Sequence, residues 1–153
     1  MKGLIRSFYY AFRGLLYQIA CERNFRIHLF AAATVLFFSR FFSFSTVEWC
    51  VLVLIIAAVI STESLNTALE KTNDAVSTME NPFIGRAKDC AAASVLILAI
   101  ASVAAGILLF WDLEAFKKII VYFSVWYRSL LLVLYCALVL FFVFCKKTYK
   151  KDC

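Results

Sequence analysis

The chain has 153 residues, of which 64% are hydrophobic and only 17% charged, with 16 phenylalanines, 4 glycines and 1 proline. A water-soluble domain is about 45–50% apolar, and one of this size leaves about 30% of its unfolded surface exposed. Disordered, linker-like and soluble globular classes are therefore excluded, and the bilayer must be the solvent. The net charge of +6 reads as membrane anchoring rather than nucleic-acid contact.

The first predicted element is a surface helix over Lys2–Ala20. Leu4, Ile5, Phe8, Phe12, Leu15, Leu16 and Ile19 fall within about 120° of arc at 100° per residue, opposite Lys2, Arg6 and Arg13. That pattern predicts a helix lying on anionic lipid; the rival reading is a helix packed only on protein. Four membrane spans follow. The first is short, Phe25–Ser39, and closes at Arg40. The second begins at Val47, runs apolar through Trp49–Ile60, then turns polar without a breaker as far as Asp74. The third, Cys90–Trp111, is rich in alanine, which suits close packing in lipid. The fourth, Ile119–Cys145, is interrupted only by Ser124, Arg128 and Ser129. The predicted fold is an all-α polytopic bundle, divided into residues 1–111 and an added C-terminal segment 112–153.

The Lys/Arg bias sets the orientation. With both termini in the cytoplasm, twelve of the 16 basic residues face it, and only Arg40, Lys117, Lys118 and Arg128 do not. Arg128 is expected to snorkel or to pair within the bundle.

Carboxylates inside a membrane are costly, about 2.5–3.5 kcal/mol at the bilayer centre for Asp, and mark function by default. Glu63, Asn66, Glu70 and Asp74 are spaced 3, 4 and 4 apart, which puts them on one helical stripe about 80° wide. At a rise of about 1.5 Å per residue from Glu48, Glu63 lies about 22 Å deep, Glu70 about 33 Å and Asp74 about 39 Å. The stripe therefore runs from the acyl region of a core about 30 Å thick to cytoplasmic water. This gradient suits a reaction between a lipid alcohol and a dissolved polyanion. A buried carboxylate is a good proton acceptor, which suits Glu63. One at the boundary, Glu70, suits Mg²⁺, which takes one or two carboxylates and completes its shell with water and phosphate. Asn66 can orient both by hydrogen bonds.

Glu22, at the same level, fits a second Mg²⁺ ligand or an ion pair with Arg23 or Arg26. Lys88 suits phosphate oxygens, and Asp89 is read as heading a helix whose first amides favour anions; both also fit a charged helix start. The spacing alone leaves an interhelical hydrogen-bond seam and an ion path open beside catalysis, and a noncatalytic scaffold as a third class. A lone His28, expected as a packed side chain, excludes multi-histidine metal sites, and the dispersed glycines exclude P-loop and Rossmann turns. The six scattered cysteines read as reduced thiols.

Glu22-Arg23-Asn24-Phe25-Arg26-Ile27-His28, Glu63-Ser64-Leu65-Asn66-Thr67-Ala68-Leu69-Glu70 with Asp74, and Gly85-Arg86-Ala87-Lys88-Asp89 together resemble the prokaryotic diacylglycerol kinase family, which includes undecaprenol kinase. The resemblance covers about residues 5–111. It implies a homotrimer in the prokaryotic inner membrane, with a surface helix and three spans per subunit and with sites shared between subunits on the cytoplasmic side. It also implies transfer of the ATP γ-phosphoryl group to a lipid hydroxyl with Mg²⁺. In that scheme Glu63 is the catalytic base, Glu22 and Glu70 bind Mg²⁺–ATP, and Asn66, Lys88 and Asp89 are essential polar partners. Tyr10, Glu80 and Asn81 stand at nucleotide-contact positions, and Asn24 and Arg26 join Glu63 at the lipid substrate. The Glu22–His28 stretch is more like the undecaprenol branch than the diacylglycerol one. The fourth span and the basic tail depart from the family pattern.

Overall fold

The computed structural model describes residues 2–76 and 81–144, which form six helices: α1 (Lys2–Cys21), α2 (Arg23–Ser39), α3 (Thr46–Val76), α4 (Pro82–Leu109), α5 (Leu113–Phe123) and α6 (Trp126–Phe144). No strand occurs among the described residues.

Local chemistry sets the boundaries. Glu22 breaks α1 from α2 by adopting extended backbone, φ −102° and ψ 115°, and its carboxylate does not cap the helix it precedes. Ser45 and Glu48 form a reciprocal capping box at the start of α3, the Ser45 amide reaching Glu48 Oε2 at 2.7 Å and the Glu48 amide reaching Ser45 Oγ at 3.3 Å. Asn81 caps α4 through the Phe83 amide at 2.9 Å, with Pro82 in the first turn where its missing N–H costs nothing. Asp112 caps α5 through the amides of Glu114 and Ala115.

The predicted fourth span is not one helix. It is split at Ser124–Val125 into amphipathic α5 and the 19-residue α6. Three side chains satisfy the last carbonyls of α5 and so end it: Ser124 Oγ bonds Val121 O at 2.8 Å, Arg128 Nη1 bonds Tyr122 O at 3.3 Å, and Ser129 Oγ bonds Phe123 O. These are the residues that interrupt the apolar run in the sequence. The Lys117 charge, on the side away from most of the basic residues, is paired with Glu114 on α5 at 2.7 Å.

By length and composition α3, α4 and α6 can cross a membrane. The 17 residues of α2 stand at the lower limit of about 17 for a span. The bundle is inverted relative to a soluble protein: Leu108 is 81% exposed and Glu63 3%. The face of α1 that carries Leu4, Ile5, Phe8, Phe12 and Leu16 is likewise open rather than packed on protein. The most extensive packing joins α3 to α4, with α2 on α3 and α6 on α2.

Helix α2 runs antiparallel to α6, and the two C-terminal helices are tied to it at three levels, α6 at two and α5 at the third. Arg26 Nη2 donates to Val143 O at 3.3 Å, the Thr34 and Tyr135 hydroxyls meet at 3.0 Å, and Arg40 Nη2 donates to the Tyr122 hydroxyl at 3.2 Å. Removing the middle tie by Tyr135→Phe is expected to lower stability by about 0.6 kcal/mol, as for a typical interhelical hydrogen bond in a membrane. Unfolding of the detergent-solubilised chain measures it, and a loss above about 2 kcal/mol would show that the hydroxyl does more than join α2 to α6.

Candidate functional site

The polar stripe of α3 is turned into the bundle. Glu63, Asn66 and Thr67 are buried, while Glu70, two turns beyond Glu63 toward the C-terminal end of α3, is half-buried. Asn66 Nδ2 donates to Glu70 Oε1 at 3.1 Å, so Asn66 orients the boundary carboxylate. Asn66 Oδ1 is buried with no hydrogen-bond partner among the described residues. The charges of Glu70 and Glu22 both bear on Glu63, which places three carboxylates in one electrostatic neighbourhood drawn from α3 and the α1–α2 junction.

Two residues outside the expected set complete this neighbourhood. Lys71 Nζ pairs with Glu22 at 3.1 Å, where Arg23 and Arg26 were the expected partners. Lys71 also stands 6.0 Å from the centre of the Tyr17 ring, so the end of α1 reaches the site through Tyr17. The sequence signal was available, since Lys71 directly follows Glu70, but a side chain next in sequence to the stripe reads first as solvated. Lys88 of α4 forms an ion pair with Asp74 of α3. The acidic stripe and the Ala87-Lys88-Asp89 corner are thus brought together where the C-terminal end of α3 meets the N-terminal end of α4.

Several expected residues stand differently. Helix α4 begins at Pro82, a full turn and more before Asp89. Asp89 therefore does not head the helix and has no free first-turn amides beside it; it is exposed on the α4 surface. The displacement follows from the Asn81–Pro82 cap, which starts the helix in the loop. Asn81 itself is engaged as that cap, and Glu80 lies outside the described residues. Tyr10 is exposed on α1, beside an open cleft shared with Arg13 and Tyr17. Asn24 is exposed, whereas Arg26 is buried and donates to Val143 O of α6 and, at 3.5 Å, to Ala20 O. Arg26 thus points at α6 rather than at the acidic stripe. His28 lines an apolar cavity between α2, α3 and α4, in line with a packed histidine. Cys50, Cys90 and Cys136 are free thiols, but Cys21 is disulfide-bonded, which corrects the expectation that all six cysteines are reduced.

Among the described residues no group of three His, Cys, Asp or Glu side chains is close enough to hold a metal on its own. Glu22 and Glu70 nevertheless supply the hard oxygen donors that Mg²⁺ prefers, and that ion commonly needs only one or two carboxylates beside phosphate oxygens. The donor set fits a cation that arrives with a polyphosphate.

The prokaryotic diacylglycerol kinase family model matches residues 9–110. Among curated proteins, the chain is 38% identical over 110 residues to a Bacillus subtilis protein named undecaprenol kinase, covering 72% of this chain and 89% of that one. It is 40% identical over 105 residues to a Synechocystis protein named diacylglycerol kinase, covering 68% of this chain and 60% of that one. A Haemophilus influenzae protein also named diacylglycerol kinase is 32% identical over 112 residues, covering 72% and 95%. No solved structure matches significantly. The family match ends before α5, so α5 and α6 lie beyond it.

The orphaned Asn66 Oδ1 yields a test. Asn66→Leu keeps the branched shape of the side chain but removes both the unpaired buried carbonyl and the amide that donates to Glu70, so the unfolding free energy of the detergent-solubilised protein is expected to fall by no more than about 3 kcal/mol, the worth of one hydrogen bond to a charged group. A loss above about 3 kcal/mol would show that this oxygen has a partner in the assembled protein.

Proposed function

This chain belongs to the prokaryotic diacylglycerol kinase family and is a membrane lipid kinase, and we propose that it transfers the γ-phosphoryl group of ATP to the hydroxyl of undecaprenol on the cytoplasmic side of the cell membrane. The observation that carries the reading is the graded polar stripe: Glu63 buried, Asn66 bonded to Glu70 at the boundary, and Lys88 joined to Asp74 at the aqueous end.

Phosphoryl transfer asks a protein mainly for positioning and charge neutralisation. Glu63 is placed to accept the proton of a lipid hydroxyl held at acyl depth, as the alkoxide oxygen forms its bond to the γ-phosphorus and ADP leaves. Lys88 offers a compact positive charge to phosphate oxygens once it leaves Asp74. Glu22 and Glu70 would hold Mg²⁺, which neutralises developing charge on the phosphates. Lys71 on Glu22 balances that carboxylate in the meantime. Asn66 keeps Glu70 aimed toward the boundary.

The choice of undecaprenol rests on the Glu22–His28 stretch and on the Bacillus subtilis relative, most of whose length is matched. Diacylglycerol is the second reading, favoured by the other two relatives. A homotrimer accords with the family resemblance.

Membranes containing the chain, supplied with ATP, Mg²⁺ and either lipid, separate the readings: phosphorylated undecaprenol should form faster than phosphatidic acid, and the reverse would assign the diacylglycerol reading. Glu63→Gln should lower product formation at least about 100-fold, the contribution of a general base, while the protein still assembles; near-normal turnover would remove Glu63 from the base role. Glu70→Gln should raise the Mg²⁺ concentration needed for half-maximal rate, and an unchanged Mg²⁺ dependence would remove it from the ligand set.

A further inference from the structure

The end of the bundle away from Glu70 carries charges that phosphoryl transfer does not use. Arg40 follows α2, and Arg128 lies in the first turn of α6. Both stand over the Tyr122 ring of α5, at 5.5 Å and 4.4 Å from its centre. Each spends a donor on Tyr122, Arg40 on the hydroxyl and Arg128 on the carbonyl oxygen. Most of the five N–H donors of each guanidinium remain.

The acids at this end are already committed. Glu48 is held in the α3 capping box, Asp112 caps α5, and Glu114 pairs with Lys117. Among the described residues neither Arg40 nor Arg128 has an ion-pair partner. Two neighbouring cations at a membrane boundary thus have no anion from the described part of this chain.

An apolar cavity of about 300 Å³ opens beside them between α2, α5 and α6. Arg128 and Tyr122 form part of its wall, and Phe37, Phe38, Phe123 and Leu131 supply apolar lining. A concave apolar wall between helices at acyl depth, edged by unpaired guanidinium groups at headgroup level, is complementary to one kind of molecule: a negatively charged amphiphile. Guanidinium groups recognise phosphate through paired N–H donors, and basic pockets between membrane helices hold lipid headgroups.

We propose that Arg40 and Arg128 with the α2–α5–α6 cavity form a binding site for an anionic phospholipid, its phosphate on the two guanidinium groups and an acyl chain along the cavity. The site is built from α2 on one side and from α5 and α6 on the other. About 25 Å of helix α2 separates Arg40 from Glu22, and about 17 Å separates the nearest cavity residue, Ala33, from it, so the site is spatially distinct from the phosphoryl-transfer centre. Through it the added C-terminal helices hold a boundary lipid against α2.

The test uses the full chain purified in detergent and exchanged against phosphatidylglycerol or phosphatidylcholine, with bound lipid counted by native mass spectrometry. Wild type should retain phosphatidylglycerol in preference to phosphatidylcholine. Arg40→Gln with Arg128→Gln should weaken phosphatidylglycerol retention about fivefold per guanidinium, the factor given by ~1 kcal/mol for each basic residue near an anionic surface. Lys117→Gln with Lys118→Gln removes two charges from the same end and should leave retention within about twofold, as neither lysine lines the cavity or stands over the Tyr122 ring that Arg40 and Arg128 share. Arg40→Lys with Arg128→Lys, which preserves the charges, should keep the preference even if the glutamine variant does not fold. Absence of a preference in wild type, retention unchanged in a folded glutamine variant, an equal loss in the Lys117/Lys118 variant, or loss of the preference in a folded lysine variant would each overturn the proposal.

Discussion

The structure depends on one inversion of solvent. Because lipid surrounds the bundle, large apolar side chains on α4 and α6 stay open while Glu63, Asn66 and Thr67 turn inward. A carboxylate facing lipid has no water to hydrate it and no partner to bond. The direction in which α3 turns its polar face is therefore fixed by desolvation, and that single rotation places Glu63 in the field of Glu70 and Glu22. Had the stripe faced outward, the carboxylates would have been scattered into the acyl chains and separated from Lys88.

The second organising element is the length of α3. At 31 residues it spans about 46 Å, more than the hydrocarbon core of about 30 Å. One continuous helix thus carries the buried Glu63 carboxylate at one level and the Asp74–Lys88 ion pair at another, without a joint between them. Substrates of opposite solubility can meet on one rigid rail, which is the positioning that phosphoryl transfer requires. The break at Glu22 brings α1 to the same place: because the Glu22 carboxylate does not cap α2, it is free to pair with Lys71 of α3.

The added C-terminal helices use a different logic. Their union with α2 rests on the donors of Arg26 and Arg40 and on the Thr34–Tyr135 hydroxyl pair, beside ring contacts of Phe37 and Phe38 with Phe123. Arg26 is drawn into this union at the N-terminal end of α2, bonding to a carbonyl in the last turn of α6. Cationic side chains near the end of a helix suit its negative pole. A residue of the family-like motif is thereby shared with a helix outside the family match.

The period of the polar stripe, the surface helix, the long α3 and the family were legible in the sequence, because 3.6-residue periodicity, hydropathy and a motif of fixed spacing are properties of one segment at a time. What the amino-acid order left undetermined were relations between segments. Lys71 takes Glu22 because α1 and α3 converge there; Arg26 turns to α6 because that helix returns beside α2. Ser124, Arg128 and Ser129, visible as interruptions, become a break only when they find the carbonyls at the end of α5. Local periodicity determines which face of a helix is polar, and only packing decides which neighbour that face meets, because the partner of a buried polar group is chosen by the three-dimensional competition to satisfy it.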